Sequence, residues 1–402
     1  MTPVEAHQSQ VLATIRALPP VQLALADAEG CVLAEDVAAA TALPSFDNSS
    51  MDGYAVLAAD TAGASEQAPV TLPVTGEIAA GDTGAFGLLP GTAIRIMTGA
   101  QLPAGADAVI PVELTDGGVA RVEIRRAVTP GSHVRYAGGD ARQGEVLLPT
   151  GTRLKPMHIA VAASAGRARV LVRPRPRVVV LSTGNELAEP GTPLVPGQIW
   201  DSNSYMIAAA AREAGAIAFR HAIVPDDPAG VLPALEEQLL RADLLITTGG
   251  VSMGGEHDVV KAALSSLGTI TFRKVAMQPG MPQGFGTVGD NRIPIFTLPG
   301  NPVSAYVSFQ LFVRPALGAL QGDLAGFLPM VSATLDSPVR SPAGRRSYLR
   351  GVLSADKTLV TPLSGQGSHQ IAALGKANAL IIVPEWTESL KDGDAADVLV
   401  LP

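Results

Sequence analysis

Between residues 175 and 322 the chain alternates continuous apolar runs with amphipathic ones. VVVLSTGNE (178–186), AIAFRHAIV (216–224), DLLITTGG (243–250) and IPIFTLPGN (293–301) read as strands that each run into a turn. Helical spacing separates them in NSYMIAAAAREAG (203–215), PAGVLPALEEQLLRA (228–242) and HDVVKAALSSLG (257–268), and a long helix follows at 301–320. Strands that lack the in-out alternation of a one-sided sheet, interleaved with helices, predict a parallel sheet covered on both faces.

The texture differs elsewhere. Thr2-Pro3 followed by VEAHQSQVLATIRAL predicts an opening helix, with Thr2 as cap and Pro3 at the first position. From 44 to 143, short apolar runs broken by Gly, Pro and Asp predict a small β-rich lobe. KPMHIAVAASAG (155–166) reads as a helix ended by Gly166, VRPRPR (172–177) as a linker, and the short strands after 323 as a compact β module. The expected organisation is multidomain α/β. A linking domain comprises 1–43 and 144–174, with a β-rich lobe at 44–143, an α/β domain at 175–322 and a C-terminal β module at 323–402.

Composition narrows the classes. The 402 residues suit two to four domains at roughly 100–200 residues each. A formal net charge of −8 argues against a broad nucleic-acid footprint. Cys31 is the single cysteine, so one chain can build neither a disulfide nor a CxxC zinc site, and its apolar neighbours in GCVLAEDV make it a structural thiol. The opening MTPVEAHQSQ lacks the basic start and apolar core of a signal peptide, and no run reaches the ~18 apolar residues of a membrane helix. A cytoplasmic protein is expected.

In an α/β sheet, ligands gather beyond the carboxyl ends of the strands, where loops and helix N-termini present backbone amides. STGNE, TTGGVSMGGEHD and LPGNP all fall there. Gly249 and Gly250 can take positive φ and let N–H groups approach an anion, with Ser252 as a further donor. Glu186, Glu256 and Asp258 have the wrong sign to hold phosphate, and a bridging Mg²⁺ reconciles them with it. Helix capping is the plainer reading for Glu256 or Asp258 taken alone. LPGNP likewise suits a tight turn, with Asn301 as cap and Pro302 at the first helical position.

In the small lobe, FDNSSMDGYA (46–55) reads first as a surface turn followed by a second turn at Asp52-Gly53. HVRYAGGDARQGE places Arg135 and Asp140 beside flexible glycines, as a salt-bridged loop or an anion contact. Six dispersed histidines carry no HExxH spacing, and no GxSxG elbow occurs.

Taken in order, FDNSSMDGYA, RIMTGAQLP, STGNEL, DSNS, TTGGVSMG and LPGNPVS resemble the motifs of the molybdopterin molybdenumtransferase family, which includes the E domain of gephyrin. The resemblance spans nearly the whole chain. It implies an elongated homodimer and an α/β domain like that of the molybdopterin adenylyltransferases. It further implies a reaction that joins molybdate to the dithiolene of adenylylated molybdopterin and releases AMP. On the same basis Asp52 and Thr98 belong to the small lobe's face of the site, with Arg135 and Asp140 nearby. Glu186 and Asp258 are the Mg²⁺ carboxylates, and Asp226 is a further acidic residue. Gly249, Gly250, Val251 and Ser252 line the nucleotide phosphates. Ser304, Arg350 and Ser368 match positions associated with the oxyanion, and Pro282, Gly300 and Asn301 are further implied cofactor-binding positions. A molybdopterin adenylyltransferase and molybdoenzyme apoproteins are the implied partners.

The chain departs from the family where KPGKP is common. Here QPGMP stands, so Gln278 and Met281 replace two lysines; either Arg350 with Arg273 or Lys274 partly compensates, or molybdate binds more weakly. The loop before Asp258 is also one residue longer than is common. Two rivals stand beside the metal-inserting enzyme. One is an adenylyltransferase acting on molybdopterin, which would consume ATP. The other is a scaffold that binds molybdopterin without turnover.

Overall fold

The computed structural model describes residues 1–225, 228–249, 269–323 and 326–402. These form two compact units, one of residues 1–21, 30–32 and 172–402 and the other of residues 22–29 and 33–171. The division is coarser than the four parts expected from sequence.

The larger unit is built on a six-stranded sheet of β1 (Arg177–Ser182), β2 (Ile217–Arg220), β3 (Leu244–Thr248), β4 (Thr271–Lys274), β5 (Pro282–Val288) and β6 (Ile293–Leu298), ordered β2-β1-β3-β6-β5-β4. The first four strands in that order are parallel. The expected parallel sheet carries an antiparallel edge, where β5 runs antiparallel to both β6 and β4. Only the tight connection at 289–292 separates β5 from β6, too short for the crossover that a parallel pair requires.

Both faces of the central strands are covered. Val178 and Val180 of β1 join Leu244 and Ile246 of β3 in one apolar cluster, while Val179, Leu181 and Leu245 join another on the opposite face. That is why these strands read as unbroken apolar runs.

The helix Pro302–Leu320 is long and apolar enough to cross a membrane, at a mean hydropathy of 1.2, but 83% of its apolar window is buried, as in a core helix. Its middle, Phe309–Val313, widens into a π turn just before Pro315. Proline removes the N–H that would have reached the Leu311 carbonyl. Gln8 Nε2 donates to that oxygen instead, at 3.0 Å.

The opening helix is Val4–Thr14, and its start corrects the expected cap. Pro3 occupies the cap position and no side chain caps the helix. Thr2 pairs by backbone with the segment after β4, donating to Lys274 O at 2.8 Å and accepting from Ala276 N–H at 2.8 Å. The expected linker shrinks to Pro174–Pro176, between a strand ending at Arg173 and β1 at Arg177. It is tied down by Arg175, whose guanidinium donates to Gly215 O and Ala216 O at 2.9 and 3.0 Å.

His7 on this helix is 2% exposed, edge-on to Phe312 with ring centroids 4.7 Å apart. Burial, aided by the nearby Arg273 charge, lowers its pKa from 6.5 to about 4. Between those values the unfolded chain binds the extra proton and the folded one does not, so stability falls as pH drops through that window. The loss reaches about 3 kcal/mol. Denaturation midpoints measured from pH 6.5 down to 4 are expected to fall less steeply in a His7→Leu variant than in the parent. Equal slopes would contradict this.

The C-terminal strands Met330–Leu335, Arg346–Leu353, Leu359–Pro362, Ala379–Val383 and Ala395–Val400 close into a barrel, because Arg346–Leu353 pairs with both Leu359–Pro362 and Ala379–Val383. A short strand from the α/β region, Met277–Gln278, adds to this sheet alongside Arg346 and Ser347. The QPGMP loop is thereby anchored to the barrel.

The smaller unit centres on a five-stranded sheet in the order Ala108–Pro111, Gly53–Val56, Ala93–Ile96, Val70–Ile78, Arg121–Ile124. Here the expected turn at Asp52-Gly53 is corrected: Gly53 is the first residue of a strand paired on both sides. A Cβ at Gly53 would lie 1.9 Å from the Ile110 carbonyl oxygen, so close cross-strand approach, not chain reversal, calls for glycine.

Candidate functional site

The α/β sheet brings three loops together at the carboxyl ends of β1, β3 and β6. Thr183 N–H donates to Thr248 O at 3.1 Å, and Gly249 N–H donates to Leu298 O at 3.1 Å. Asn203, at the start of the helix Asn203–Glu213, donates through Nδ2 to Gly300 O at 2.6 Å. Gly249 adopts φ +96°, as its place in the loop predicts, and a Cβ there would meet Thr183 O at 2.7 Å. Its N–H is spent within the rim, however, and is not free for an anion. Gly250, Val251, Ser252, Glu256, Asp258 and Asp226 lie outside the described residues.

Glu186 is exposed on the first of these loops, and its carboxylate folds over Gly184, where a Cβ would come within 2.7 Å of Oε2. Beside it, Thr183 Oγ1 is buried with no hydrogen-bond partner among the described residues, as is Asn203 Oδ1. The rim therefore offers a carboxylate and orphaned neutral oxygens.

Beneath the loops sits a carboxylate whose role sequence reasoning missed. Asp201, the first residue of DSNS, is 1% exposed. It accepts from Ser182 Oγ at 3.0 Å, Ser204 N–H at 3.1 Å and Ser204 Oγ at 2.5 Å. Ser182 Oγ is also 2.9 Å from Thr248 Oγ1, so one carboxylate braces the ends of β1 and β3 and the first turn of a helix. Arg220 lies 3.9 Å away, stacked 3.5 Å over the Tyr205 ring and paired with Glu189. The signal was in the sequence: an Asp just before a helix, three residues ahead of a Ser.

A second feature adjoins LPGNP. A cleft of about 460 Å³ is lined by the QPGMP loop, Asn301, Ser304, Arg345 and the 366–369 loop. Of the residues predicted from sequence, Pro282, Asn301, Ser304 and Ser368 meet here with Gln278 and Met281. Asn301 Nδ2 donates to Ser368 Oγ at 3.1 Å, and Val303 N–H donates to Ser368 O at 3.1 Å, joining two motifs 67 residues apart. Gln283, 2% exposed, holds the QPGMP loop by donating to Gly280 O and Ser308 Oγ, each at 2.6 Å.

Arg350 does not line this cleft. Its side chain is fully buried, and Nη2 donates to Gly365 O and Gly367 O from beneath the loop. Burial draws its pKa below the ordinary guanidinium value. Nor do Arg273 and Lys274 reach the cleft lining; they sit in β4 opposite Gln283 and Pro282.

In the smaller unit, Asp52 and Thr98 come together as predicted. Thr98 donates to Asp52 Oδ1 through its N–H at 2.7 Å and its hydroxyl at 2.8 Å, and these bonds hold the carboxyl below the usual carboxylate range. Arg135 pairs by backbone opposite Asn48, Asp140 N–H donates to Leu43 O at 2.9 Å, and no ion pair joins Arg135 to Asp140 among the described residues. The polar cluster before Asp52 is internally satisfied: Ala137 N–H donates to Asp47 Oδ1 at 2.7 Å, and Ser49 Oγ to Met51 O at 2.5 Å.

Comparison with known proteins accounts for the set. Residues 2–166 match the MoeA N-terminal region (domain I and II), 179–319 a probable molybdopterin binding domain, and 332–401 the MoeA C-terminal region (domain IV). The chain is 48% identical over 391 residues to molybdopterin molybdenumtransferase 2 of Mycobacterium tuberculosis, covering 96% of each. The chain belongs to the molybdopterin molybdenumtransferase family.

Another molybdopterin molybdenumtransferase, from Bacillus subtilis, is 38% identical, with 94% of this chain and 89% of that one covered. Two crystal structures of molybdopterin biosynthesis moeA protein from Pyrococcus horikoshii share the fold, with TM-scores of 0.82 and 0.78 at 32% and 28% identity. Each covers 100% of this chain, and 99% and 100% of the other.

Proposed function

We propose that the protein inserts molybdate into adenylylated molybdopterin with Mg²⁺-dependent release of AMP, yielding molybdenum cofactor. The observation that carries this reading is the cleft beside LPGNP. Its side chains offer hydroxyl, amide and guanidinium donors and, among the described residues, include no carboxylate, a composition suited to a small oxyanion, and Asn301 belongs both to its lining and to a loop of the α/β rim.

The adenylate diphosphate is assigned to the rim. Cleaving a phosphoanhydride depends on positioning and charge stabilisation rather than on a protein nucleophile. Mg²⁺ fits the rim in kind, since Glu186 and Thr183 Oγ1, the latter without a hydrogen-bond partner among the described residues, are hard oxygen donors. Asp258, the other carboxylate expected to hold it, lies outside the described residues, and phosphate and water would complete the shell. The ion would supply neutralisation of phosphate charge. Glu186 would hold it, and Asn203, through its bond to Gly300 O, and Thr183, through its bond to Thr248 O, fix the loop geometry.

The reading includes a cytoplasmic homodimer in which Asp52 and Thr98 of the smaller unit contribute to the site. A molybdopterin adenylyltransferase would deliver its substrate, and molybdoenzyme apoproteins would receive its product. Purified protein incubated with adenylylated molybdopterin and Mg²⁺ is expected to release AMP when molybdate is added. Release indifferent to molybdate would overturn the proposal. ATP consumption would point to an adenylyltransferase, and binding without turnover to a scaffold.

A further inference from the structure

The cleft assigned to the oxyanion holds one guanidinium that no motif singled out. Arg345 and Arg346 are adjacent in sequence but differ in every respect that matters for binding an anion. Arg346 is neutralised twice, by Glu5 and by Glu385, the latter at 3.0 Å. Arg345 is half-buried in the cleft wall, and its guanidinium has neither a hydrogen bond nor an ion pair among the described residues. Gln278 and Met281, which also line the cleft, bring no charge. Arg350 has N–H groups to spare, since Nε and Nη1 lack partners among the described residues, but with no exposed surface it offers an incoming anion no path.

We infer that Arg345 is the cationic contact for the tetrahedral oxyanion in this chain, taking the place of the two missing lysines, and that Arg350 is a positioning residue that shapes the 365–367 loop from below. This rests on the reading of the cleft as the molybdate site and names the residue that sets its affinity. A planar guanidinium can grip two oxygens of a tetrahedral dianion at once. Asn301, Ser304, Ser368 and Gln278 then present neutral amide and hydroxyl groups to the rest of it. One cation with neutral donors also predicts weaker salt dependence than a two-lysine pocket would show.

The test is calorimetric titration of the full-length protein with sodium molybdate, without the pterin substrate, so that it does not depend on turnover. Arg345→Gln is expected to weaken binding roughly tenfold or more, the scale of a lost charge-assisted contact. Arg345→Lys, which keeps the charge but not the fork, should recover part of that loss. Thermal melts at the parent's temperature would establish that both variants are folded. Molybdate binding by folded Arg345→Gln equal to that of the parent, or no binding by the parent itself, overturns the assignment. If molybdate binds and depends on Arg345 while AMP release does not respond to molybdate, the contact stands and only the reaction assigned to it falls.

Discussion

Asp201→Ala is expected to destabilise the larger unit by about 3 to 5 kcal/mol, because the substitution strands several buried partners at once. Ser182 and Ser204 lose the carboxylate that accepts their hydroxyls, the helix at Asn203 loses its first-turn acceptor, and Arg220 loses one of its two acidic neighbours. Asp201→Asn keeps the shape and one oxygen acceptor and should cost less. The two variants are separated by denaturant midpoints together with AMP release. The alanine variant should lose activity even at temperatures where it remains folded, because the ends of β1 and β3 bearing Thr183 and Gly249 are no longer braced together. An alanine variant as stable and active as the parent would show that the network is ornamental.

Gly53→Ala is expected to be as damaging in the smaller unit, by about 3 kcal/mol or more. The added methyl would sit 1.9 Å from a carbonyl oxygen and 2.8 Å from its carbon, both backbone atoms of the neighbouring strand, so no side chain can rotate away to relieve the clash. The strand would have to part from Ala108–Pro111. Gly53 is also paired with Ile96, two residues from Thr98, so the shift should loosen the Asp52–Thr98 contact next to it. Gly76 provides the control. It lies in the same sheet with ordinary φ and open space where its Cβ would go, so Gly76→Ala should change stability by less than about 0.5 kcal/mol. Limited proteolysis and circular dichroism would compare the two. Equal resistance of both variants would refute the steric account.

The two substitutions also mark where the sequence was legible. Gly249 was read correctly as a positive-φ residue because a glycine after an apolar strand has a local reason to be there. Gly53 was read as half of a turn because Asp-Gly has the same local signature whether the chain reverses or a neighbouring backbone crowds in. Only the position of Ile110, 57 residues away, distinguishes the two. The long helix was visible at 301–320, but not that a tertiary partner, Gln8, would satisfy the carbonyl left by Pro315. Arg345 and Arg346 are indistinguishable as letters. Glu5 and Glu385, which neutralise the second, are remote from it in sequence.

By itself the sequence determined the alternation of buried strands and helices, the β-rich character of the remainder, and the glycine-rich loops at the strand ends, because each follows from residue preference and periodicity over a few positions. Membership in the molybdopterin molybdenumtransferase family was legible for a related reason: its motifs are local strings. The tertiary structure decided the antiparallel edge of the sheet, the burial of Arg350, the bracing by Asp201 and the placing of a half-buried Arg345, unpaired among the described residues, in the cleft wall. Burial and charge pairing depend on which distant segments pack together, and no window along the chain contains both partners.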